Sequence, residues 1–170
     1  MTDIVAIGEP GSGQDFQVAG RRGAKSIDEL PAHYRELLDG PHIATLATRS
    51  ASGRTQLSPM WFQVDPDRVH VRINTKVGRA KDFHMQANSD IAIQIIDQED
   101  FYHWVTIYGT VVDRIEEGDP NRGELATESI DGLAQLYLGE APYPLRSDDS
   151  ERRVLYKIAP SQIVTFGGQD

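Results

Sequence analysis

Cysteine is absent from this chain of 170 residues. Without it the protein can have no disulfide, no thiolate nucleophile, no zinc ribbon and no iron–sulfur cluster. Long apolar runs are missing too, since no stretch approaches the roughly 18 consecutive apolar residues that a membrane span needs. We therefore expect no thiol chemistry and no membrane partner.

Positive charge is also scarce. Lys and Arg number 17 against 26 Asp and Glu, and the formal net charge is -9. Nucleic-acid-binding domains usually carry a basic footprint over the whole domain, so we expect no nucleic-acid partner. Arg21-Arg22 is not followed by the apolar region of an export signal, which favours a cytoplasmic location. The length suits one domain with a normal core.

One short segment departs from this acidic balance. Residues 68–81, here called the basic segment, contain no acid. Their five basic residues are Arg68, Arg72, Lys76, Arg79 and Lys81. The segment ends at a glycine where a strand pattern becomes helical, and a helix start offers unpaired N–H groups to an anion. Arg adds a forked donor and Lys a point charge, so this junction predicts a phosphate site. From the spacing alone, a solvated basic face explains the pattern equally well.

A proline interrupts the extended pattern of residues 55–64. Proline cannot donate to a β-ladder, so Pro59 predicts an edge, a bulge or a break in this strand. An interrupted strand frees backbone groups for the polar edge of a planar ring, beside Met60 and Trp61. Taken alone, a slightly irregular core strand explains the pattern better.

Hydrophobic periodicity predicts a mainly β fold with short helices. Helical spacing follows a capping Ser26 and ends at Asp39-Gly40-Pro41, and it returns over residues 78–88 and 121–138. Extended patterns cover residues 42–48, 55–64, 69–74, 90–96, 104–112 and 153–166. Because their connections are short, the first three strands are predicted to be antiparallel neighbours.

The remaining segments complete the predicted organisation. Residues 113–119 are predicted to form a solvated acidic loop. Residues 1–24, which include Gly11-Ser12-Gly13, are predicted to form a flexible N-terminal arm. Residues 25–170 then form one cofactor-binding domain, rolled into a small barrel.

No pattern typical of a metal or nucleophilic site is present. His70, His84 and His103 lie on different predicted elements without ligand spacing. Ser52 and Ser58 lack the glycine context of a nucleophile elbow. We expect no metal site and no catalytic side chain.

The order of several motifs resembles that of a known group of proteins. The motifs are Ile43-Ala44-Thr45-Leu46-Ala47-Thr48, Gln56-Leu57-Ser58-Pro59-Met60-Trp61, Thr75-Lys76-Val77-Gly78-Arg79-Ala80-Lys81-Asp82, Asn88-Ser89-Asp90-Ile91-Ala92-Ile93 and Gly109-Thr110-Val111. They resemble the pyridoxamine 5′-phosphate oxidase-like split-barrel superfamily, and within it the flavin and deazaflavin oxidoreductases. The resemblance spans about residues 37–166. It implies an FMN-binding-like split β-barrel of antiparallel strands and short helices, in a homodimer with two cofactor sites at the subunit interface.

The resemblance also implies a function. Members most like this chain use coenzyme F420, a deazaflavin, to reduce small unsaturated or conjugated organic compounds. Two alternatives stay open: an FMN-dependent oxidase or reductase of the same fold, and a non-catalytic carrier of flavin or haem. A deazaflavin carries its own hydride chemistry, which explains why no catalytic dyad is visible.

The resemblance assigns roles to ten positions. Arg79 and Lys81 would hold the cofactor phosphate. The other implied cofactor-binding residues are Asn74, Thr75 and Lys76 near the phosphate or ribityl chain, and Gln56, Ser58, Pro59, Met60 and Trp61 along the ring.

Overall fold

The computed structural model describes residues 26–167 and, before them, only the backbone of three short strands. These strands are β1 (Asp3–Ala6), β2 (Phe16–Gln17) and β3 (Gly23–Ala24). β2 and β3 pair with each other in a two-stranded sheet. The predicted flexible arm falls largely outside the described residues and stays a prediction.

The rest of the described chain contains four helical segments and seven strands. The helices are a 3-10 helix (Ile27–Glu29), α1 (Ala32–Asp39), α2 (Ala80–Ala87) and α3 (Gly123–Leu138). The strands are β4 (Ala44–Arg49), β5 (Thr55–Met60), β6 (Phe62–Val64), β7 (Val71–Lys76), β8 (Asp90–Ile96), β9 (Trp104–Glu116) and β10 (Arg153–Phe166).

Eight strands form one antiparallel sheet. The order is β5-β4-β8-β9-β10-β7-β6, and β1 also pairs with β10. β5 and β6 lie at opposite ends of this order, yet only Trp61 separates them in sequence. The chain itself therefore joins the two ends of the sheet and closes it into a barrel. The predicted mainly β split barrel is confirmed.

The second predicted strand pairs with both of its predicted neighbours, but it does so as two separate strands. β4 pairs with β5, and β6 pairs with β7, but β5 and β7 lie near opposite ends of the sheet. The predicted antiparallel neighbours are therefore confirmed, but the extended segment over residues 55–64 divides at Trp61 into two strands, which its sequence pattern did not indicate. Pro59 is on β5, an end strand of the order, which agrees with the preference of proline for sheet edges.

Alternating side chains explain why the strands fold against one core. On β8, Ile91, Ile93 and Ile95 are buried while their neighbours are not, as the two-residue period of a strand requires. The same core contains Phe62 of β6 and Tyr156 of β10, both fully buried. The barrel interior is thus filled with side chains.

Pro31 divides the first predicted helix. Ser26 caps the 3-10 helix by accepting the Asp28 N–H at 3.2 Å. Leu30 is extended, with φ -68° and ψ 152°, because a residue before proline avoids the helical region. The chain becomes helical again at Ala32. This helix, α1, ends at Asp39 with Gly40 as its C-cap, as predicted.

One strand, β9, is longer than the sequence pattern indicated, and β10 has its predicted bounds but is irregular. β9 continues to Glu116, so residues 113–116 are strand rather than loop. β10 is one strand of 14 residues with register shifts at Lys157/Ile158 and Pro160/Gln162, and such bulges let a long strand bend around a barrel. No helix within the described residues is long and apolar enough to cross a membrane.

Candidate functional site

A cavity of about 180 Å³ opens where the ends of β5 and β7 approach α2, α3 and the start of β10. It is lined by Pro59, Met60, Trp61, Asn74, Thr75, Arg79, Lys81, Ile130, Leu133, Tyr143, Leu145 and Arg153. Seven of the ten residues implied by the resemblance therefore meet at one place.

The other three residues do not line this cavity. Gln56 donates from Nε2 to Ser58 Oγ at 3.3 Å, and Ser58 is buried. Lys76 donates from Nζ to Ser147 Oγ at 2.8 Å and lies 3.7 Å from a Glu151 carboxylate oxygen. The Lys76 ammonium is engaged elsewhere, so the structure does not place it with the phosphate-binding candidates.

Two more cations of the basic segment are also neutralised by acids. Arg68 Nη1 lies 2.6 Å from Asp39 Oδ1, and Arg68 Nη2 lies 2.7 Å from Asp28 Oδ1. Arg72 pairs with the buried Asp65 carboxylate. Both guanidinium groups are therefore occupied within the fold, Arg68 by acids distant in sequence and Arg72 by an acid at the preceding turn.

Arg79 and Lys81 differ from these three cations. Neither side chain has a hydrogen-bond or ion-pair partner within residues 26–167. Burial lowers the pKa of Lys81, and the nearby charges of Arg79 and Arg153 lower it further. A bound anion would relieve this repulsion and supply the missing partner. The pair is thus an uncompensated positive site on the cavity wall.

The junction that presents these cations depends on a glycine. Gly78 has φ +82°, and a Cβ added there would meet nothing within 4 Å. The glycine is required by backbone conformation rather than by space. Its N–H donates to Asp82 Oδ2 at 2.7 Å, so this N–H serves the turn and not a ligand.

Asp82 fixes the start of α2 against the barrel. Its buried carboxylate accepts from Tyr156 Oη and from Arg114 Nη2, the latter at 2.9 Å. Burial opposes ionisation, but the hydrogen bonds from Tyr156, Gly78 and Arg114 outweigh it and lower the Asp82 pKa. This network ties the helix that carries Lys81 to β9 and β10.

Asn74 and Arg153 form a buried part of the wall. Arg153 Nε donates to Asn74 Oδ1 at 2.9 Å, and Asn74 Nδ2 donates to Ala126 O at 2.9 Å. Arg153 Nη1 also donates to Glu151 at 2.8 Å. Both polar ends of Asn74 are occupied, so its amide joins β7, β10 and α3.

Thr75 contrasts with its neighbour Asn74. It is 2% exposed, and its Oγ1 has no hydrogen-bond partner among the described residues. Buried polar atoms are nearly always partnered, and a hydroxyl can both donate and accept. The unpartnered hydroxyl on a cavity-lining residue therefore points to a ligand.

Aromatic side chains form an apolar part of the cavity wall. Trp61 stacks on Tyr137 with ring centroids 5.1 Å apart and meets the edge of Tyr143 at 6.1 Å. Tyr137 donates from Oη to His42 O at 2.7 Å, and burial raises its pKa to about 12. The phenol stays protonated near neutral pH and holds Trp61 in place.

The segment that follows α3 contributes Tyr143 and Leu145 and is clamped by Glu117. Arg146 donates to both Glu117 oxygens, at 2.5 and 3.0 Å, and the Arg153 N–H donates at 3.0 Å. Burial opposes ionisation of Glu117, yet bonds from Arg146, Arg153 and Thr127 lower its pKa to about 2.

Sequence patterns missed Arg153 and the residues of α3 and the following segment. Arg153 pairs with Lys76 in the β7–β10 register, and this long-range pairing has no local sequence signal. Within the described residues, no group of three or more His, Asp or Glu residues is placed to hold a metal ion.

The profile of the pyridoxamine 5′-phosphate oxidase family matches residues 30–166. The chain belongs to this family. Pyridoxamine 5′-phosphate oxidase relatives include oxidoreductases, and the fold binds flavin-type cofactors. A search of curated proteins found no match.

Solved structures of this family's fold are similar to the chain. An F420 reductase is 27% identical with a TM-score of 0.62, and the match covers 79% of this chain and 98% of that one. HupZ from Group A Streptococcus is 17% identical (TM-score 0.56), with coverage of 82% and 99%. HutZ, a haem storage protein from Vibrio cholerae, is 17% identical (TM-score 0.54), with coverage of 78% and 93%. The last two show the fold alone.

Proposed function

We propose that the protein is an oxidoreductase that binds coenzyme F420 in this cavity and passes hydride from the reduced cofactor to a small unsaturated or conjugated organic acceptor. The observation that carries the proposal is a pair of cations, Arg79 and Lys81, that have no partner within residues 26–167 and line a cavity with apolar residues. The similarity to an F420 reductase favours the deazaflavin over FMN.

The polar residues fit the anionic part of such a cofactor. A phosphate accepts charge-assisted hydrogen bonds from Arg79 and Lys81, and these are stronger than neutral ones. The Thr75 hydroxyl, buried and without a partner, can donate a third. Arg153 also lines the cavity, but Asn74 and the Glu151 carboxylate already engage its guanidinium, so we assign it no phosphate contact.

The apolar residues fit a flat ring. Pro59, Met60, Trp61 and Leu133 line the cavity, and such side chains bind aromatic surface and exclude water. A deazaflavin or flavin supplies the hydride chemistry itself. No carboxylate or histidine belongs to the described lining, so the protein's part is to bind, orient and shield.

The size of the cavity supports a homodimer. Pockets for small-molecule cofactors usually enclose about 300–1,000 Å³, whereas one chain provides about 180 Å³. A second copy of the chain would complete the site at the subunit interface. This proposal predicts that the concentration dependence of cofactor binding follows that of dimer formation.

Titration of the purified protein with F420 and with FMN, followed by calorimetry and cofactor fluorescence, tests the assignment. We expect F420 to bind more tightly. Tight FMN binding with no detectable F420 binding would replace the deazaflavin with a flavin.

Turnover separates an enzyme from a carrier. The complex with reduced F420 is mixed with a panel of enones and quinones, and cofactor oxidation is followed by absorbance. We expect at least one acceptor to be reduced. Bound cofactor without turnover of any acceptor would favour a carrier.

A further inference from the structure

A second cavity, of about 400 Å³, lies between α1 and the turn that joins β8 to β9. It shares no lining residue with the candidate cofactor site. Its carboxylate lining residues are Glu36, Asp97 and Glu99, and three histidines, His33, His42 and His103, lie beside them. No Lys or Arg is among its described lining residues, so the cavity has a negative character where the cofactor site is positive.

A buried imidazole lines this acidic cavity. His103 is 8% exposed, and its Nδ1 lies 3.1 Å from Asp97 Oδ2. Its Nε2 is buried and has no hydrogen-bond partner within the described residues. Buried polar atoms rarely lack a hydrogen-bond partner. The unpartnered Nε2 of His103 therefore points to a ligand independently of the acidic residues.

Asp97 determines which ring nitrogen of His103 carries a hydrogen. The Glu99 N–H and the His103 side chain lower the pKa of Asp97, so its carboxylate is ionised and can only accept a hydrogen bond. Nδ1 of His103 must then carry the hydrogen. When the ring carries its single hydrogen on Nδ1, Nε2 is an acceptor, and a ligand that offers an N–H can pair with it.

The turn holds this acceptor in a fixed position. The His103 N–H donates to Asp100 O at 2.8 Å, and the Asp97 N–H donates to His103 O at 2.9 Å. On the side of α1, the rings of His33 and Tyr34 each lie 5.5 Å from the His103 ring, measured between centroids. The imidazole is therefore packed between a closed turn and a helix.

We propose that this cavity binds a small organic cation that carries N–H groups, such as an alkylammonium or a guanidinium. One N–H donates to His103 Nε2, and Glu36 and Glu99 balance the positive charge. An anion would be repelled by three carboxylates. A metal ion is not the class we propose, because no group of His, Asp and Glu within the described residues has the geometry to hold one.

The first test compares cations that differ in their hydrogens. Agmatine and butylammonium carry N–H donors, tetramethylammonium is a cation without them, and butyrate is an anion. Calorimetry and NMR of the histidine ring nitrogens follow each titration of the full chain. We expect agmatine and butylammonium to bind and to shift the His103 Nε2 signal. Equal binding of tetramethylammonium, or no binding of any cation at millimolar concentration, would overturn the proposal.

Variants locate the binding. Glu36 is exposed, so Glu36→Gln should fold normally and weaken agmatine binding by about tenfold or more, as expected for a lost charged hydrogen bond. The matched control is Glu128→Gln, which removes an exposed carboxylate on α3 and should leave the affinity unchanged. Equal effects of the two variants would contradict the assignment.

A third variant tests the imidazole directly. His103→Asn should reduce the preference for butylammonium over tetramethylammonium. A preference unchanged from the native protein would show that His103 does not accept the hydrogen bond. If this variant does not fold, the Glu36→Gln comparison and the His103 NMR signal still decide the question. F420 binding by Glu36→Gln should be unchanged, so the two sites are tested separately.

Discussion

Neutralising Arg79 or Lys81 should weaken cofactor binding without destabilising the protein. Neither side chain has a partner among the described residues, so each substitution removes an interaction made only with the ligand. A hydrogen bond to a charged group contributes about 1.5–3 kcal/mol. Because each 1.4 kcal/mol corresponds to about tenfold in affinity, Arg79→Gln and Lys81→Gln should each raise the F420 dissociation constant about 10- to 150-fold.

The two effects should not add fully. Burial and the charges of Arg79 and Arg153 already disfavour the charged form of Lys81. Removing Arg79 should therefore favour the charged form of the Lys81 ammonium, which partly offsets the lost interaction. For the same reason, the unfolding temperature of each ligand-free variant should equal that of the native protein or lie slightly above it.

Lys76→Gln is the matched control. It removes a cation from the same segment, but one that bonds to Ser147 and lies beside Glu151. F420 titration at fixed low salt should show a change of less than about threefold for this variant, since it loses no ligand hydrogen bond. The reasoning fails if Lys76→Gln weakens binding as much as Arg79→Gln, or if the ligand-free Arg79 and Lys81 variants unfold at clearly lower temperature.

Three further outcomes follow from the contacts around the site. Gly78→Ala should lower the free energy of unfolding by about 1–2 kcal/mol, because its φ of +82° is costly for a residue with a Cβ. Tyr156→Phe should lower it by about 1–3 kcal/mol, because the buried Asp82 carboxylate loses a donor. Glu117 and Glu151 have pKa values of about 2 against an ordinary 4.5. Their stabilising contribution is complete above pH 4.5 and should be lost as the pH falls towards 2.

Controls separate these effects from general damage. Gly118 has open space around it and no positive φ. In denaturant unfolding, Gly118→Ala should leave the free energy of unfolding unchanged, whereas Gly78→Ala should lower it. Tyr108→Phe alters an exposed tyrosine and should leave stability unchanged; an equal loss would remove the argument for Tyr156. In Glu117→Gln the acid-dependent loss of stability, measured by thermal unfolding across the pH range, should be smaller. An unchanged pH profile would contradict the assigned clamp.

Local patterns predicted the parts of this fold that depend on local periodicity. β8 was predicted with its observed bounds, because Ile91, Ile93 and Ile95 alternate with less buried neighbours. Pro59 predicted an edge, a bulge or a break, and β5 is an end strand of the sheet order. The division at Trp61 was missed, since no turn residue marks it, and the separation of β5 from β7 follows only from strand pairing.

The candidate site was predictable where one segment supplies it. Arg79 and Lys81 lie two residues apart, and the strand-to-helix junction is visible in the sequence. Arg153 was not predictable, because the β7–β10 register brings it to Asn74. Nor could the sequence show that Asp39 and Asp65 neutralise Arg68 and Arg72 while Arg79 is left unpaired.

A covalent link, instead of a ladder of hydrogen bonds, bridges the two margins of the barrel wall at Trp61. Moving β5 and β6 apart would break few backbone hydrogen bonds. The ring contacts of Trp61 with Tyr137 and Tyr143 hold this part of the barrel together. The same tryptophan lines the candidate cofactor cavity. The candidate cofactor cavity thus lies beside the line of the barrel wall where no hydrogen-bond ladder between β5 and β6 is found among the described residues.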